Sequence, residues 1–278
     1  MKADLHIHTT ASDGRLSPVS IIKAAIEAGL SHIAITDHDT VDGLLELANA
    51  GFTLPSTLSL IPGIELSSDL PNCEVHILGY NIDIHNRKLH DQLQLLIAHR
   101  HERAPKMISK LNELGYFITY ERVLQLADKA TSIGRPHIAK ALVEKGYFPT
   151  ITEVFIQLIG KNGPAYIPHY KLTPSQVIEL IIGAGGIPTL AHPALINNDE
   201  VVMDLIHAGI QGLEVYHPTH SEEQITKYLT LANHHQLLIT GGSDFHAIAG
   251  RFPEALGVFT LPSALSYQLQ GSIIHKEY

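Results

Sequence analysis

The chain has a single cysteine, Cys73, so no disulfide can form within it and no cysteine-based zinc site can be built. It has no apolar run approaching membrane-span length. Its first strand-like run begins at residue 2 or 3, which leaves no room for a secretory signal, and the expected location is cytoplasmic. Internal repeats and low-complexity tracts are also lacking. Positive charge is in short supply: 19 Lys and Arg stand against 28 Asp and Glu, a formal net charge of -9 with His neutral. That balance disfavours broad binding to duplex nucleic acid. It leaves an anionic substrate possible, because bound divalent ions would dominate the local field.

What is present is an ordinary globular composition, 45% hydrophobic and 17% charged over 278 residues, enough for one large α/β domain or one domain carrying an insertion. Histidine breaks the pattern, with 19 copies. Many stand at the ends of apolar, strand-like runs. In Ala3-Asp4-Leu5-His6-Ile7-His8-Thr9 the two His are two apart, so on a strand both rings leave the same face. The pattern returns at Thr36-Asp37-His38-Asp39, Gly63-Ile64-Glu65, Glu74-Val75-His76, Ala191-His192-Pro193 and Ser243-Asp244-Phe245-His246. Imidazole and carboxylate are ligands of zinc, manganese and iron. Placements of this kind, in register with the strands, predict a multinuclear metal site.

The N-terminal third alternates strand and helix. Strands are predicted at 2–8, His32–Thr36, Leu58–Leu66 and Val75–Tyr80, with helices from Ser17-Pro18 to Gly29 and over Val41–Ala50. From 86 to 184 the reading is almost all helix: 87–103, 105–114, 119–129, 136–145, 151–159 and 174–184, with Pro105 expected to break the first long stretch. Strands resume at Ile187–Ala191, Gly212–Tyr216 and Leu237–Thr240. The expected organisation is a barrel from 1–85 and 185–278, interrupted by an all-helical insertion or cap over 86–184. Seven parallel strands with crossover helices are expected to close, or nearly close, into a barrel, and functional groups cluster where barrel strands end. Candidates come from every strand: His6 and His8, His38, Glu65, His76, His192, His217, then Asp244 and His246.

Each has a plainer reading. His6 and His8 could be a polar pair on an edge strand, but two buried rings would then need hydrogen-bond partners. Asp13, in Ser12-Asp13-Gly14, is a ligand or a turn residue. Asp37 orients a ligating His or caps a helix. Glu65 ends an apolar strand, where an unpaired carboxylate would be costly, and a bridging ligand reads better. Gly241-Gly242 lets backbone approach a crowded site. The other His, at 85, 90, 99, 101, 207, 220, 234, 235 and 275, stand in polar or helical contexts and read mostly as solvated.

At Asp4-Leu5-His6-Ile7-His8-Thr9, Thr36-Asp37-His38-Asp39, Ala191-His192-Pro193 and Ser243-Asp244-Phe245-His246 the chain resembles the PHP (polymerase and histidinol phosphatase) family. The resemblance implies a distorted (β/α)7 barrel with two to three divalent ions, manganese first and iron or zinc as alternatives. It implies His6, His8 and Asp244 around one ion, His76 and His192 around a second with Glu65 bridging, and Asp13, His38 and His246 around a third. Some members have His where this chain has Asp13. Within the family, the helical insertion is similar to that of the 3′,5′-nucleotide bisphosphate phosphatases, some of which act as 5′-to-3′ exoribonucleases on short RNA. The segment Ile133-Gly134-Arg135-Pro136-His137-Ile138-Ala139 carries that likeness. Arg135 at a helix start could hold a phosphate with the helix amides, with His137 assisting, or be an ordinary surface Arg. Lys161, Tyr166 and His169 could line the same cleft.

The expectation is therefore a metal-dependent phosphoesterase acting on a phosphorylated nucleotide or short RNA. His217, surplus to the nine ligands, is assigned to phosphate contact or leaving-group protonation, with a supporting role behind the ligands as its alternative. The other candidate activities are a histidinol-phosphate-type monophosphatase and a metal-dependent amidohydrolase. The latter is disfavoured because no Lys lies at a predicted strand end. A non-catalytic binding module would have no need of the full ligand set.

Overall fold

The computed structural model describes residues 2–70, 73–127, 134–161, 163–168, 170 and 172–261. By its internal contacts the chain divides into two units, Met1–His90 with Leu172–Tyr278, and Asp91–Lys171.

The first unit is built on a seven-stranded sheet in sequence order. Its strands are β1 (Ala3–Ile7), β2 (His32–Ile35), β3 (Ser59–Asp69), β4 (Glu74–Tyr80), β5 (Ile187–Leu190), β6 (Gly212–Tyr216) and β7 (Leu238–Gly241). Between β1 and β2 runs α1 (Pro18–Glu27), where Ser17 accepts a hydrogen bond from the Ser20 amide and Gly29, at φ 68°, carries the chain out of the helix. The short α2 (Asp42–Asn49) follows β2. The segment after β7 bonds to the free edge of β1: His8 N donates to Phe245 O at 2.9 Å, Phe245 N to His6 O at 3.3 Å and Leu261 N to Ala3 O at 2.9 Å. The sheet thereby closes, nearly, into a barrel with flanking helices.

One strand departs from the expected parallel arrangement. β4 is antiparallel to both β3 and β5, whereas β1–β2, β2–β3, β5–β6 and β6–β7 are parallel. The cause is connection length. β3 and β4 are joined through residues 70–73 alone, and a parallel pair needs a crossover of about a dozen residues or more. On β4, His76, Leu78 and Tyr80 share a face. Leu78 and Tyr80 pack there with Ala3, Leu5, Ala34, Ile61, Ala191 and Leu261, and Tyr80 Oη donates to Leu5 O at 2.9 Å. The apolar core thus occupies one end of that face and His76 the other.

The second unit is helical. α3 (Arg87–Glu113) enters it, followed by α4 (Tyr120–Ala127), α5 (Arg135–Glu144) and α6 (Ile151–Val154), which continues as a π-helical turn over Phe155–Ile159. The break expected at Pro105 does not occur: α3 is one helix with Pro105 inside it. An interior proline costs about 3 kcal/mol, and burial of Ala104, Met107, Ile108 and Leu111 around it offsets that cost. The end of the helix expected at 119–129 lies outside the described residues. α7 (Pro174–Gly183), expected to belong with the inserted helices, instead packs on the sheet, where Ile181 meets Gly79 and Gly186. α8 (Asp199–His207) and α9 (Glu222–His234) complete the first unit between β5 and β7. Among the described residues no helix is long and apolar enough to cross a membrane.

Candidate metal centre

Glu65 is the hub. It lies within β3, opposite Leu78 of β4, fully buried, and each carboxylate oxygen has its own company. Oε2 lies 3.2 Å from His6 Nε2, 3.2 Å from His8 Nε2 and 3.1 Å from His38 Nδ1. Oε1 lies 2.9 Å from His76 Nδ1 and 3.2 Å from His192 Nε2. Asp244 Oδ1 approaches His8 Nε2 at 3.2 Å and His6 Nε2 at 3.6 Å. Asp13, on an exposed turn, reaches His246 Nε2 at 3.1 Å. Three sets of ligand atoms lie close enough to share an ion: His6, His8, Glu65 and Asp244; His8, Asp13, His38 and His246; and His38, Glu65 and His76. All nine residues expected as ligands are therefore brought to one end of the barrel.

The donor chemistry fits divalent cations. His6 Nδ1–H donates to Glu214 Oε1 at 2.9 Å, and His246 Nδ1–H donates to the Asp244 carbonyl at 2.7 Å. In the neutral rings each Nε2 is then left with a lone pair, aimed at a carboxylate oxygen. Acceptor facing acceptor is relieved by a metal cation between them or by a second proton on the ring. Both ring nitrogens of His8, and His38 Nδ1, are buried yet aligned for no hydrogen bond, although carboxylate oxygens stand close by.

Charge at the site follows from burial set against neighbours. Burial alone would raise Glu65, but His38 and His6 hold it well below the usual carboxylate range. Asp244 is treated alike by His217 and His8, and Asp13 by His246 and His38. Burial would push His8 down, but Asp244 and Glu65 outweigh it and raise it to about 9. For His38 burial wins over Glu65, and its pKa falls to about 4.

Further buried carboxylates shape the site. Glu214, on β6, was missed in the sequence: besides holding His6 it accepts from His192 N at 2.7 Å. A carboxylate inside the apolar run Gly212–Tyr216 was the available signal, the same one that marked Glu65. Asp37 is not a helix cap, since α2 takes Val41 as N-cap. It accepts from Thr9 N at 2.7 Å, Thr9 Oγ1 at 2.8 Å and Ser12 Oγ at 2.6 Å, fixing the turn that carries Asp13. Asp4 accepts from Ser243 N at 2.8 Å and Ser243 Oγ at 2.6 Å, tying β1 to the residue before Asp244. Gly242 allows the close approach there, since a Cβ would overlap the backbone and Cβ of His6.

His217 is buried at the end of β6. Its Nδ1 accepts from Thr219 N at 3.2 Å, so a neutral ring carries its hydrogen on Nε2, 3.8 Å from Asp244 Oδ2. His220, read as solvated, is buried instead. The turn folds it back over β6, where Nδ1–H donates to Val215 O at 2.9 Å.

The remaining candidates lie in the helical unit. Arg135 is the first residue of α5, its guanidinium 5.4 Å from the Phe155 ring and 5.8 Å from the Tyr166 ring. His137 Nδ1 accepts from Gly134 N at 3.1 Å, so that nitrogen caps the helix. Lys161 is exposed and Tyr166 half-buried. Ile133, His169 and His275 lie outside the described residues.

Comparison with known proteins agrees with this geometry. The model of the PHP domain matches residues 4–181. The chain is 34% identical over 253 residues to the 5′-3′ exoribonuclease Rnm of Salmonella typhimurium, covering 87% of this chain and 84% of that protein. It is 32% identical over 249 residues to a 3′,5′-nucleoside bisphosphate phosphatase of Chromobacterium violaceum, covering 88% and 87%. A solved structure from Bifidobacterium adolescentis, described as a candidate metal-dependent phosphoesterase, superposes with a TM-score of 0.73 at 32% identity, covering 96% of this chain and 94% of that one. The chain belongs to the PHP family. It is a metal-dependent phosphoesterase of that family.

Proposed function

We propose that this chain hydrolyses the 3′-phosphate of nucleoside 3′,5′-bisphosphates and also trims short 5′-phosphorylated RNA from its 5′ end. The observation that carries the chemistry is Glu65, whose two oxygens face different histidine sets. A carboxylate so placed would bridge two cations. In this reading His6, His8 and Asp244 hold one divalent ion, His76 and His192 a second with Glu65 between them, and Asp13, His38 and His246 a third, manganese being the first choice. When bound, the ions lower the pKa of water and neutralise phosphoryl oxygens.

The chain's own residues do the rest. Glu214 keeps the proton of His6 on Nδ1 and so keeps Nε2 free to ligate. The Asp244 carbonyl does the same for His246. His217, whose Nε2 lies 3.8 Å from Asp244 Oδ2, is assigned to contact with the phosphoryl group or, as the imidazolium, to protonation of the leaving ribose oxygen. The nucleotide preference draws on the two relatives named for bisphosphate nucleotides and RNA. Arg135, with His137, Lys161 and Tyr166, is assigned to binding the phosphate that is not cleaved.

The test is a substrate panel with metal-reconstituted protein: a nucleoside 3′,5′-bisphosphate, a short 5′-phosphorylated RNA, histidinol phosphate and a generic ester. The bisphosphate and the RNA should be the best substrates. Arg135→Ala should raise KM by about ten- to a hundredfold for the bisphosphate, the worth of a charge-assisted contact, and far less for a single-phosphate ester. Equal losses on both, or a preference for histidinol phosphate, would replace this reading with a monophosphatase.

A further inference from the structure

The two oxygens of Asp244 face different surroundings. Oδ1 looks toward His8, His246 and His6. Oδ2 accepts from Arg251 Nη2 at 2.6 Å and lies 3.8 Å from His217 Nε2. The Arg251 side chain is 42% exposed and that of Asp244 16%, so the arginine is far more open to solvent than the carboxylate it holds. A guanidinium carries five N–H donors in a planar fork. Asp244 takes one, and no other acceptor for the Arg251 side chain is found among the described residues.

We propose that Arg251 is a phosphate-binding residue, holding a non-bridging oxygen of the phosphoryl group under attack with N–H groups that Asp244 leaves unused. The proposal rests on the phosphoesterase reading. Its physical basis is repulsion. A phosphoryl group arriving at this rim brings oxyanions toward Asp244 Oδ2, and His217 stands off, with Nε2 3.8 Å from that oxygen. Arg251 is the cation already seated against Oδ2, and a planar fork can bridge two oxyanions where an ammonium offers a point charge. Arg251 sits in the segment that follows β7 and the ligands Asp244 and His246, so it reaches the same barrel end from outside the strands.

The experiment compares metal-loaded wild type, Arg251→Met and Arg251→Lys. Calorimetry measures the binding of inorganic phosphate, and competition with a chromophoric chelator measures the affinity for manganese. Arg251→Met should raise the Kd for phosphate by about ten- to a hundredfold and leave manganese affinity at the wild-type value. Arg251→Lys should recover part of the loss. Unchanged phosphate affinity in Arg251→Met, or a fall in manganese affinity that accounts for the phosphate loss, would show that Arg251 only supports Asp244 and overturn the proposal. Wild-type protein that binds no phosphate and releases none from any ester overturns the phosphoesterase reading itself, and that result precedes any substitution.

Discussion

Replacing Glu214 by Gln removes one charge, changes almost no volume, and should cost the metal centre about ten- to a hundredfold in affinity. Both carboxylate oxygens are in use, one accepting from His6 Nδ1–H at 2.9 Å and the other from His192 N–H at 2.7 Å. An amide has one acceptor and one donor end. If its oxygen stays on His6, its NH2 faces the His192 N–H, donor against donor, in a site with no exposure. If the amide turns round, its NH2 faces His6 Nδ1, which must then accept. The His6 hydrogen moves to Nε2, and the lone pair aimed at Glu65 and Asp244 is lost. Either way at least one charge-assisted bond goes, worth about 1.5–3 kcal/mol, and 1.4 kcal/mol is a factor of ten. The assay is chelator competition for manganese, run beside phosphate release at saturating metal. Phosphate release should recover substantially when metal is in excess, because no residue touching substrate has changed. A Glu214→Gln protein with wild-type metal affinity would refute the idea that Glu214 sets the His6 tautomer.

Metal affinity should rise with pH by about tenfold per unit per displaced proton up to about 9, because His8 is raised to about 9 and His6 well above its ordinary value in the metal-free site, and both must shed a proton to ligate. Chelator competition across that range checks it, and a pH-independent affinity contradicts it. The same group makes the metal-free fold pH-sensitive. His8 contributes about 3 kcal/mol that is fully present below its unfolded pKa of about 6.5 and is lost as pH rises through about 9, a trend that urea unfolding at several pH values would read. His38→Ala and Asp244→Ala should abolish most phosphate release yet keep melting temperatures near wild type, since their side chains are 23% and 16% exposed at the rim. Unfolding on a par with a core deletion would count against a ligand role. Gly242→Ala should lower stability by about 1–3 kcal/mol or more, because its Cβ would overlap the backbone of His6 and β1 would have to move. Unchanged thermal unfolding would show that the two segments yield freely.

Much of the site is legible in the sequence because burial is. His6 and His8 stand two apart on an apolar strand, and their rings do lie on one face with centroids 5.1 Å apart. Glu65 is readable as a bridging group because a lone carboxylate at the end of an apolar run must be satisfied. The identical argument applies to Glu214, a lone carboxylate inside the apolar run Gly212–Tyr216. The antiparallel β4 runs against the parallel expectation, although too few residues separate it from β3 for a crossover. Periodicity reports faces and not directions, and only connection length distinguishes the two. Asp37 stays open in the sequence because Asp before a helix has two uses, and its partners Thr9 and Ser12 are remote in sequence. Arg251 leaves no mark at all. It lies on a loop, and its meaning comes from a single contact with Asp244 across a fold that local pattern does not encode.

The most direct experiment counts metal and phosphate on the same sample. Purified protein is assayed for bound divalent ions and for phosphate released from a nucleoside 3′,5′-bisphosphate, before chelation, after chelation, and during stepwise addition of manganese. Phosphate release should vanish with the metal and return in proportion to the ions rebound at the cluster around Glu65. Demetallated protein that turns over at the full rate would contradict a metal-dependent phosphoesterase, and with it the roles assigned to His6, His8, Glu65 and Asp244.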